Sequence, residues 1–304
     1  MTRPDLAQRR RQLTISRIAV VFGVGMLTLL VVGCSNVVFL FANAPTAFGT
    51  FNRRTDLPYG EDSRQRLDVY SPREARNRPV VIFWYGGSWT GGDKANYRFV
   101  GATLAERGFV TVVPDYRLYP AVAFPAFCEH GAHALAWVEA HAQEFGGDPH
   151  RIVLMGHSAG AHMAAFLAFN RAFDEKAGAE ANSIVGLVGL SGPYALVPDT
   201  AVLHTTFPAP YSDADWQPVR FVDARSPPTL LLHGLDDKEV YPKHTIALND
   251  ALLRNHIRVQ MKLYPHGRHA DTVAPFALLA RRRSPAYEDS VAFIESVTQS
   301  DRSP

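Results

Sequence analysis

Residues Ile152-Val153-Leu154-Met155-Gly156-His157-Ser158-Ala159-Gly160-Ala161, IVLMGHSAGA in one-letter code, set a short apolar run directly against a serine held between two glycines. An apolar run this short, opened by β-branched residues and closed by glycine, reads as a strand buried on both faces. Ala, Met and Phe dominate residues 159–169, which read as a buried helix. Ser158 therefore stands at an abrupt strand-to-helix reversal. Such a turn forces the serine into a strained backbone conformation, and side chains at the flanking positions would strike neighbouring backbone, so glycine fits there. The reversal also lifts the hydroxyl clear of the sheet. It places the serine at a helix N-terminus, where free N–H groups and the helix dipole favour developing negative charge.

The flanking sequence extends the pattern. Val80–Trp84 (VVIFW), Phe109–Val113 (FVTVV), Ile184–Leu190, Thr229–Leu232 and Val259–Tyr264 read as strands, and Arg66–Tyr70 (RLDVY) alternates as a half-exposed edge strand would. Between them, residues 97–107 and 126–145 carry helical patterns, and a helix after Asp289 closes the chain. Continuous apolar strands alternating with helices predict an α/β fold: a mostly parallel central sheet with helices on both faces. Ligands of such sheets gather at the carboxyl ends of the strands, where Ser158 lies.

A serine hydroxyl is a weak nucleophile at neutral pH and needs a base, itself oriented by an acid. On a strand–serine–helix elbow these partners follow in the order acid, then histidine, each after a later strand. Both are present. After Thr229–Leu232 comes His233-Gly234-Leu235-Asp236-Asp237, and after Val259–Tyr264 comes His266-Gly267-Arg268-His269, so each loop offers two candidates. An oxyanion needs backbone donors; Ala159 follows the nucleophile and supplies one. Tyr85-Gly86-Gly87-Ser88-Trp89 follows VVIFW, and its glycines admit close substrate approach, so Gly87 and Ser88 are expected to aim N–H groups inward.

Four motifs together resemble the α/β-hydrolase superfamily: YGGSW at 85–89, DYRLYP at 115–120, GGDPHRIVLMGHSAGAH at 146–162 and HGLDD at 233–237. Within it, residues 60–298 are similar to the carboxylesterase group that holds hormone-sensitive-lipase-like esterases, bacterial feruloyl-esterase-like proteins, kynurenine formamidases and isoprenylcysteine methylesterases. The resemblance implies an α/β-hydrolase fold and a serine ester hydrolase working through an acyl-enzyme, without cofactor or metal. It selects Asp237 over Asp236 and His269 over His266, giving the triad Ser158, Asp237 and His269. Tyr85 departs from the group, which usually has histidine there to organise the oxyanion loop. An amidase-type reaction such as formamidase would use the same machinery, and a non-catalytic envelope scaffold is the reading from another class.

Several prominent residues have plainer readings. Asp115, Tyr116 and Arg117 are expected to brace the loop beneath the oxyanion glycines by hydrogen bonds. His162, a helical turn after Ser158, reads as a packed helix histidine, His157 as a residue that packs or hydrogen-bonds near the elbow, and Cys128 as a small buried apolar residue. Trp89 fits an acyl pocket or a core lid equally well. GSWTGGDK at 87–94 lacks the Gly-x-x-x-x-Gly-Lys spacing of a phosphate loop. The segment 193–228, rich in Pro and aromatics, is too short for a lid domain and suits a loop with a small helix. That predicts an open site for small to medium esters.

With 31 basic against 29 acidic side chains and no basic stripe, nothing points to nucleic acid, and the 12 scattered histidines suggest no metal. The oligomeric state leaves no mark in the sequence. The amino terminus reads separately. Arg9, Arg10, Arg11 and Arg17 precede an uncharged stretch from Ile18 to Phe41, the pattern of an export signal or anchor over residues 1–44 ahead of a catalytic domain over 45–304. Val31-Val32-Gly33-Cys34 resembles the lipobox of bacterial lipoproteins, which makes Cys34 a candidate for acylation. The stretch also exceeds the ~20 residues that span a bilayer, so an uncleaved helix is the competing reading. Either places the protein at the cell membrane with its catalytic domain facing the periplasm or exterior.

Overall fold

The computed structural model describes residues 37–180 and 182–299. Among these, eight strands form one sheet: β1 (Phe51–Pro58), β2 (Arg66–Pro72), β3 (Arg78–Trp84), β4 (Val110–Pro114), β5 (Gly147–His157), β6 (Ile184–Leu190), β7 (Thr229–Gly234) and β8 (Val259–Tyr264), in the order β1-β2-β4-β3-β5-β6-β7-β8. The pairs from β4 through β8 are parallel, while β1–β2 and β2–β4 are antiparallel. The apolar runs lie where burial on both faces demands them: Val80 to Trp84 and Ile152 to Met155 are wholly buried. Helices Arg98–Glu106, Ala126–His141, Ala159–Phe169, Lys243–Arg254 and Ala286–Thr298 follow their strands. Every residue of Ala159–Phe169 is buried, which accounts for a composition that is apolar but for His162. The mostly parallel sheet with flanking helices thus follows from the strand–helix alternation, and its order is the α/β-hydrolase arrangement that the resemblance implies.

One expectation is corrected. The strand around Arg66–Tyr70 is not an edge: β1, whose sequence FNRRTDLP has no apolar run, pairs outside it. The alternation misleads because Asp68 looks solvent-facing yet is 2% exposed. Its carboxylate is held 2.8 Å from Lys94 Nζ and accepts from the Asp56 N–H at 3.1 Å. Lys94 is itself buried and also meets Asp56 at 2.6 Å. Removing one partner of a buried pair strands the other charge, so Lys94→Met should cost about 3 kcal/mol, read as a lower urea midpoint. A loss under about 0.5 kcal/mol would mean that Asp68 finds other compensation.

Asp174, in the short helix Arg171–Lys176, is buried with its Oδ1 unpartnered. Burial, and then nearby Glu139, push its carboxyl up to about 9. The folded state therefore holds a proton that the unfolded chain releases near pH 4, and stability falls as pH rises between those values. Asp174→Asn removes that dependence. It should stabilise the protein by about 2 kcal/mol at pH 8 and have little effect at pH 4, measured as thermal midpoints at both pH values.

The segment 193–228 holds two short α-helices, Ala201–Thr206 and Asp213–Trp216, and a 3₁₀ turn, Pro218–Arg220, in place of a lid domain. Residues 37–43 are helical, and the Asn43 amide donates to the carbonyls of Ala95 and Asn96. Cys34 and the remainder of the apolar stretch lie outside the described residues. Among the described residues no helix is long and apolar enough to cross a membrane.

Candidate active site

Ser158 follows β5 with φ 55° and ψ −123°, a strained conformation for a residue bearing a Cβ. A Cβ on Gly156 would strike the carbonyl of Gly160, and one on Gly160 would strike that of Trp84, so both glycines are required by backbone crowding. Gly86 lies against the Ser158 Cβ, bringing the loop after β3 beside the serine. Ser158, 8% exposed, lines a cleft of about 200 Å³ together with Ser88, Trp89, Ala159, Leu196 and Val240. A wider hollow of about 730 Å³ among Arg78, Arg107, Arg151 and Glu295 holds none of the predicted site residues.

The loops after β7 and β8 are zipped together. Leu235 N–H donates to Tyr264 O and Asp236 N–H to Gly267 O, each at 2.9 Å, and a Cβ on Gly234 would collide with Gly267. This joint separates the two acid–histidine combinations. Asp237 and His269 meet inside, with Nδ1–H donating to Oδ2 at 2.8 Å. Asp236 and His266 face each other outside at 3.5 Å, with side chains 55% and 93% exposed. Asp237 is saturated with donors. Oδ1 accepts from the N–H groups of Glu239 and Val240 at 2.9 and 3.0 Å, and Oδ2 also faces His233 Nε2 at 3.1 Å. Burial alone would raise this carboxyl, but the bonds from His233 and His269 outweigh it and hold it far below the usual carboxylate range. Among the described residues no hydrogen bond joins Ser158 Oγ to the imidazole; bonds of this kind tighten when substrate binds.

The loop after β3, expected to hold an oxyanion, takes an unusual path. Gly87 has φ 132°, and Ser88 and Trp89 follow at 53° and 59°, two successive side-chain-bearing residues in the left-handed region. Among the described residues the N–H groups of Gly87 and Ser88 are spent on no internal bond, although the Gly87 carbonyl accepts from Thr90 and Gly91. Ala159 opens its helix, where first-turn N–H groups have no intrahelical acceptor. Tyr85 shows how the loop does without histidine. Its hydroxyl donates to Asp115 Oδ1 at 2.6 Å and accepts from Arg64 Nη2 at 2.8 Å, while Tyr116 OH donates to the Tyr85 carbonyl at 3.0 Å. Asp115 and Tyr116 thus brace the loop as expected; Arg117 instead pairs with Asp62 at 3.2 Å.

Other expectations resolve simply. His162 is fully buried and donates from Nε2 to Trp216 O at 2.8 Å, fastening the segment after β6 to the helix that follows Ser158. Trp89 serves both proposed uses, lining the cleft and packing edge-on against His162 and Phe207. Cys128 is a free, fully buried thiol pushed well up by desolvation. The sequence reading gave no role to His233, whose Nδ1 accepts from Thr245 Oγ1 at 2.7 Å while Nε2–H donates to Val240 O at 2.8 Å. The HG pair before the acid loop marked its place but not its contacts.

Comparison with known proteins identifies the family. The model of the BD-FAE family matches residues 67–252, more than half of the chain. The chain belongs to the BD-FAE family. That places it in the carboxylesterase group of α/β-hydrolases. This BD-FAE member is 31% identical to an isoprenylcysteine α-carbonyl methylesterase of Arabidopsis thaliana over 72% of its own length and 56% of the relative's. It is 33% identical to esterase LipC of Mycobacterium tuberculosis, over 60% of its own length and 51% of the relative's. The chain thus spans about half the length of these curated relatives. Esterase B from Lactobacillus rhamnosis is a structural neighbour, with TM-score 0.73 at 19% identity over 93% of this chain and 95% of that one; at such identity the likeness speaks for the fold.

Proposed function

We propose that this BD-FAE member is a serine esterase that hydrolyses small to medium carboxylic esters through an acyl-enzyme. The observation that carries the reading is the buried Asp237–His269 pair on the same sheet rim as the strained Ser158. Ser158 Oγ attacks the ester carbonyl as His269 Nε2 takes its proton. Asp237 holds the tautomer with Nδ1–H toward itself and stabilises the imidazolium. The N–H groups of Gly87, Ser88 and Ala159 receive the oxyanion. Collapse expels the alcohol with the proton from His269, and water, activated by the same base, releases the acid and restores the serine. The cleft of about 200 Å³ accommodates a short group on one side of the ester, walled by Leu196, Val197 and Leu203. The esterases among its relatives support ester over amide chemistry.

A fluorophosphonate probe should label the protein, with the adduct mapping to the Ser158 peptide and aryl esters turned over. Labelling elsewhere, or none, would overturn the reading, and faster turnover of N-formyl amides than of esters would move it to an amidase. The proposal also holds the domain at the outer side of the cytoplasmic membrane through residues 1–44. Its support is the uncharged run Ile18–Phe41 behind the arginines. Mass spectrometry of the mature amino terminus separates acylated Cys34 from an uncleaved helix.

A further inference from the structure

His157 precedes the serine and has no part in proton transfer. Its ring is buried and lies 4.7 Å from the His269 ring, inclined at 46°. Nε2 lies 3.1 Å from the His269 main-chain oxygen, which can only accept, so Nε2–H donates. Nδ1 has no partner and lies beside Gly86 of the oxyanion loop. A buried, unpartnered nitrogen is unfavourable, so an apolar ring would serve better if packing were the only task. The same carbonyl of His269 also accepts from Thr272 Oγ1 at 3.3 Å, and Thr272 pairs with Ser191 Oγ at 2.9 Å, just past β6. The backbone of residue 269 is therefore tied to the ends of two neighbouring strands, β5 and β6.

We infer that His157 is a positioning residue: through its Nε2–H it clamps the main chain of His269 and fixes the imidazole against the Ser158 hydroxyl. This rests on the serine-esterase reading. The clamp exploits the short chain path from Ser158 to His157, so the element that aims the nucleophile also aims the base. The Thr272–Ser191 pair supplies the second point of attachment, and two points stop the loop from pivoting. Burial, reinforced by the nearby His269 imidazole, pushes the His157 ring down to about 3. The ring stays neutral across the working range, and no second charge competes with the imidazolium formed at His269. The Asp237 bond sets only the ring's Nδ1 side; the backbone clamp sets where the ring begins.

The test compares His157→Leu, His157→Gln and His157→Asn with the wild type on p-nitrophenyl acetate, with thermal midpoints alongside. Leu removes the donor; Gln carries an N–H close to the Nε2 position; Asn is too short to reach. A displaced base slows chemistry without weakening binding, so Leu should lower kcat by about 10- to 100-fold with KM nearly unchanged, and Gln should recover most of the loss. Thr272→Val should do less alone and more in the His157→Leu background than independence predicts, because both donors share one carbonyl. If His157→Leu does not fold, the comparison of Gln with Asn decides, with Asn defective and Gln near wild type. Near-wild-type kcat for a folded Leu variant, a change confined to KM, or Gln no better than Asn would overturn the inference. The wild type would still label at Ser158 and turn over esters in each case, so its failure differs from failure of the esterase reading.

Discussion

Ser158→Ala should lower kcat for ester hydrolysis by about 10⁶-fold and abolish fluorophosphonate labelling, with the fold intact. The size of the loss follows from the order of events. The Asp237–His269 pair has no use without a proton to take, so removing the nucleophile disables the whole unit in one step. The residual rate comes from the donors of Gly87, Ser88 and Ala159, which bind the oxyanion of a direct water attack. The fold should hold because the bonds that shape the elbow are made by backbone. Ser158 N–H donates to Leu190 O at 2.9 Å, and the Ser158 carbonyl accepts from Ala161 and His162. Steady-state hydrolysis with an active-site titration of contaminating enzyme measures the loss. A fall smaller than about tenfold would put the nucleophile elsewhere and leave the strained φ of 55° without a catalytic reason.

The elements that position Ser158 were legible in the sequence because their burial left little choice of residue. Ile184–Leu190 and Val259–Tyr264 are strands at the bounds expected, and residues 159–169 are the helix expected. β1 was not legible, since FNRRTDLP is exposed along most of its length and pairs through its backbone, which no side-chain pattern reports. Asp68 was misread for a related reason: what neutralises it, Lys94, lies far along the chain. The site divides the same way. Motif order supplied Ser158 and the two loops, and the family resemblance chose Asp237 and His269 within them, but only the joint between the loops after β7 and β8 shows why neither Asp236 nor His266 reaches inside. His233, Thr272 and Ser191 act through hydrogen bonds between distant segments, and a single sequence carries no sign of such pairing. Tyr85, a departure in sequence from the group, still holds the loop, since its hydroxyl reaches Asp115.

Asp237→Asn should cost about 10⁴-fold in kcat while Asp236→Asn leaves turnover near wild type, and the contrast rests on what surrounds each carboxylate. Asp237 is 2% exposed; Oδ1 accepts from two backbone N–H groups, and Oδ2 accepts from His269 and lies 3.1 Å from the His233 Nε2–H that Val240 O shares. An amide there must turn its NH₂ either toward the two backbone N–H groups or toward His233 and His269. In the second case His269 shifts its proton to Nε2 and can no longer accept one from Ser158. In the first, two donors meet two donors and the loop must move. Stability should report the same site independently of turnover. Because the folded carboxyl titrates well below its unfolded value, it contributes stability that is complete above about pH 4 and is lost as pH falls toward its folded value. The gap in urea midpoint between wild type and Asp237→Asn should therefore be widest at neutral pH and narrow at pH 3. An Asp237→Asn enzyme within tenfold of wild type, or an Asp236→Asn enzyme equally impaired, would assign the acid to the outer pair. His266, with its side chain 93% exposed, would then have to leave solvent to reach the serine.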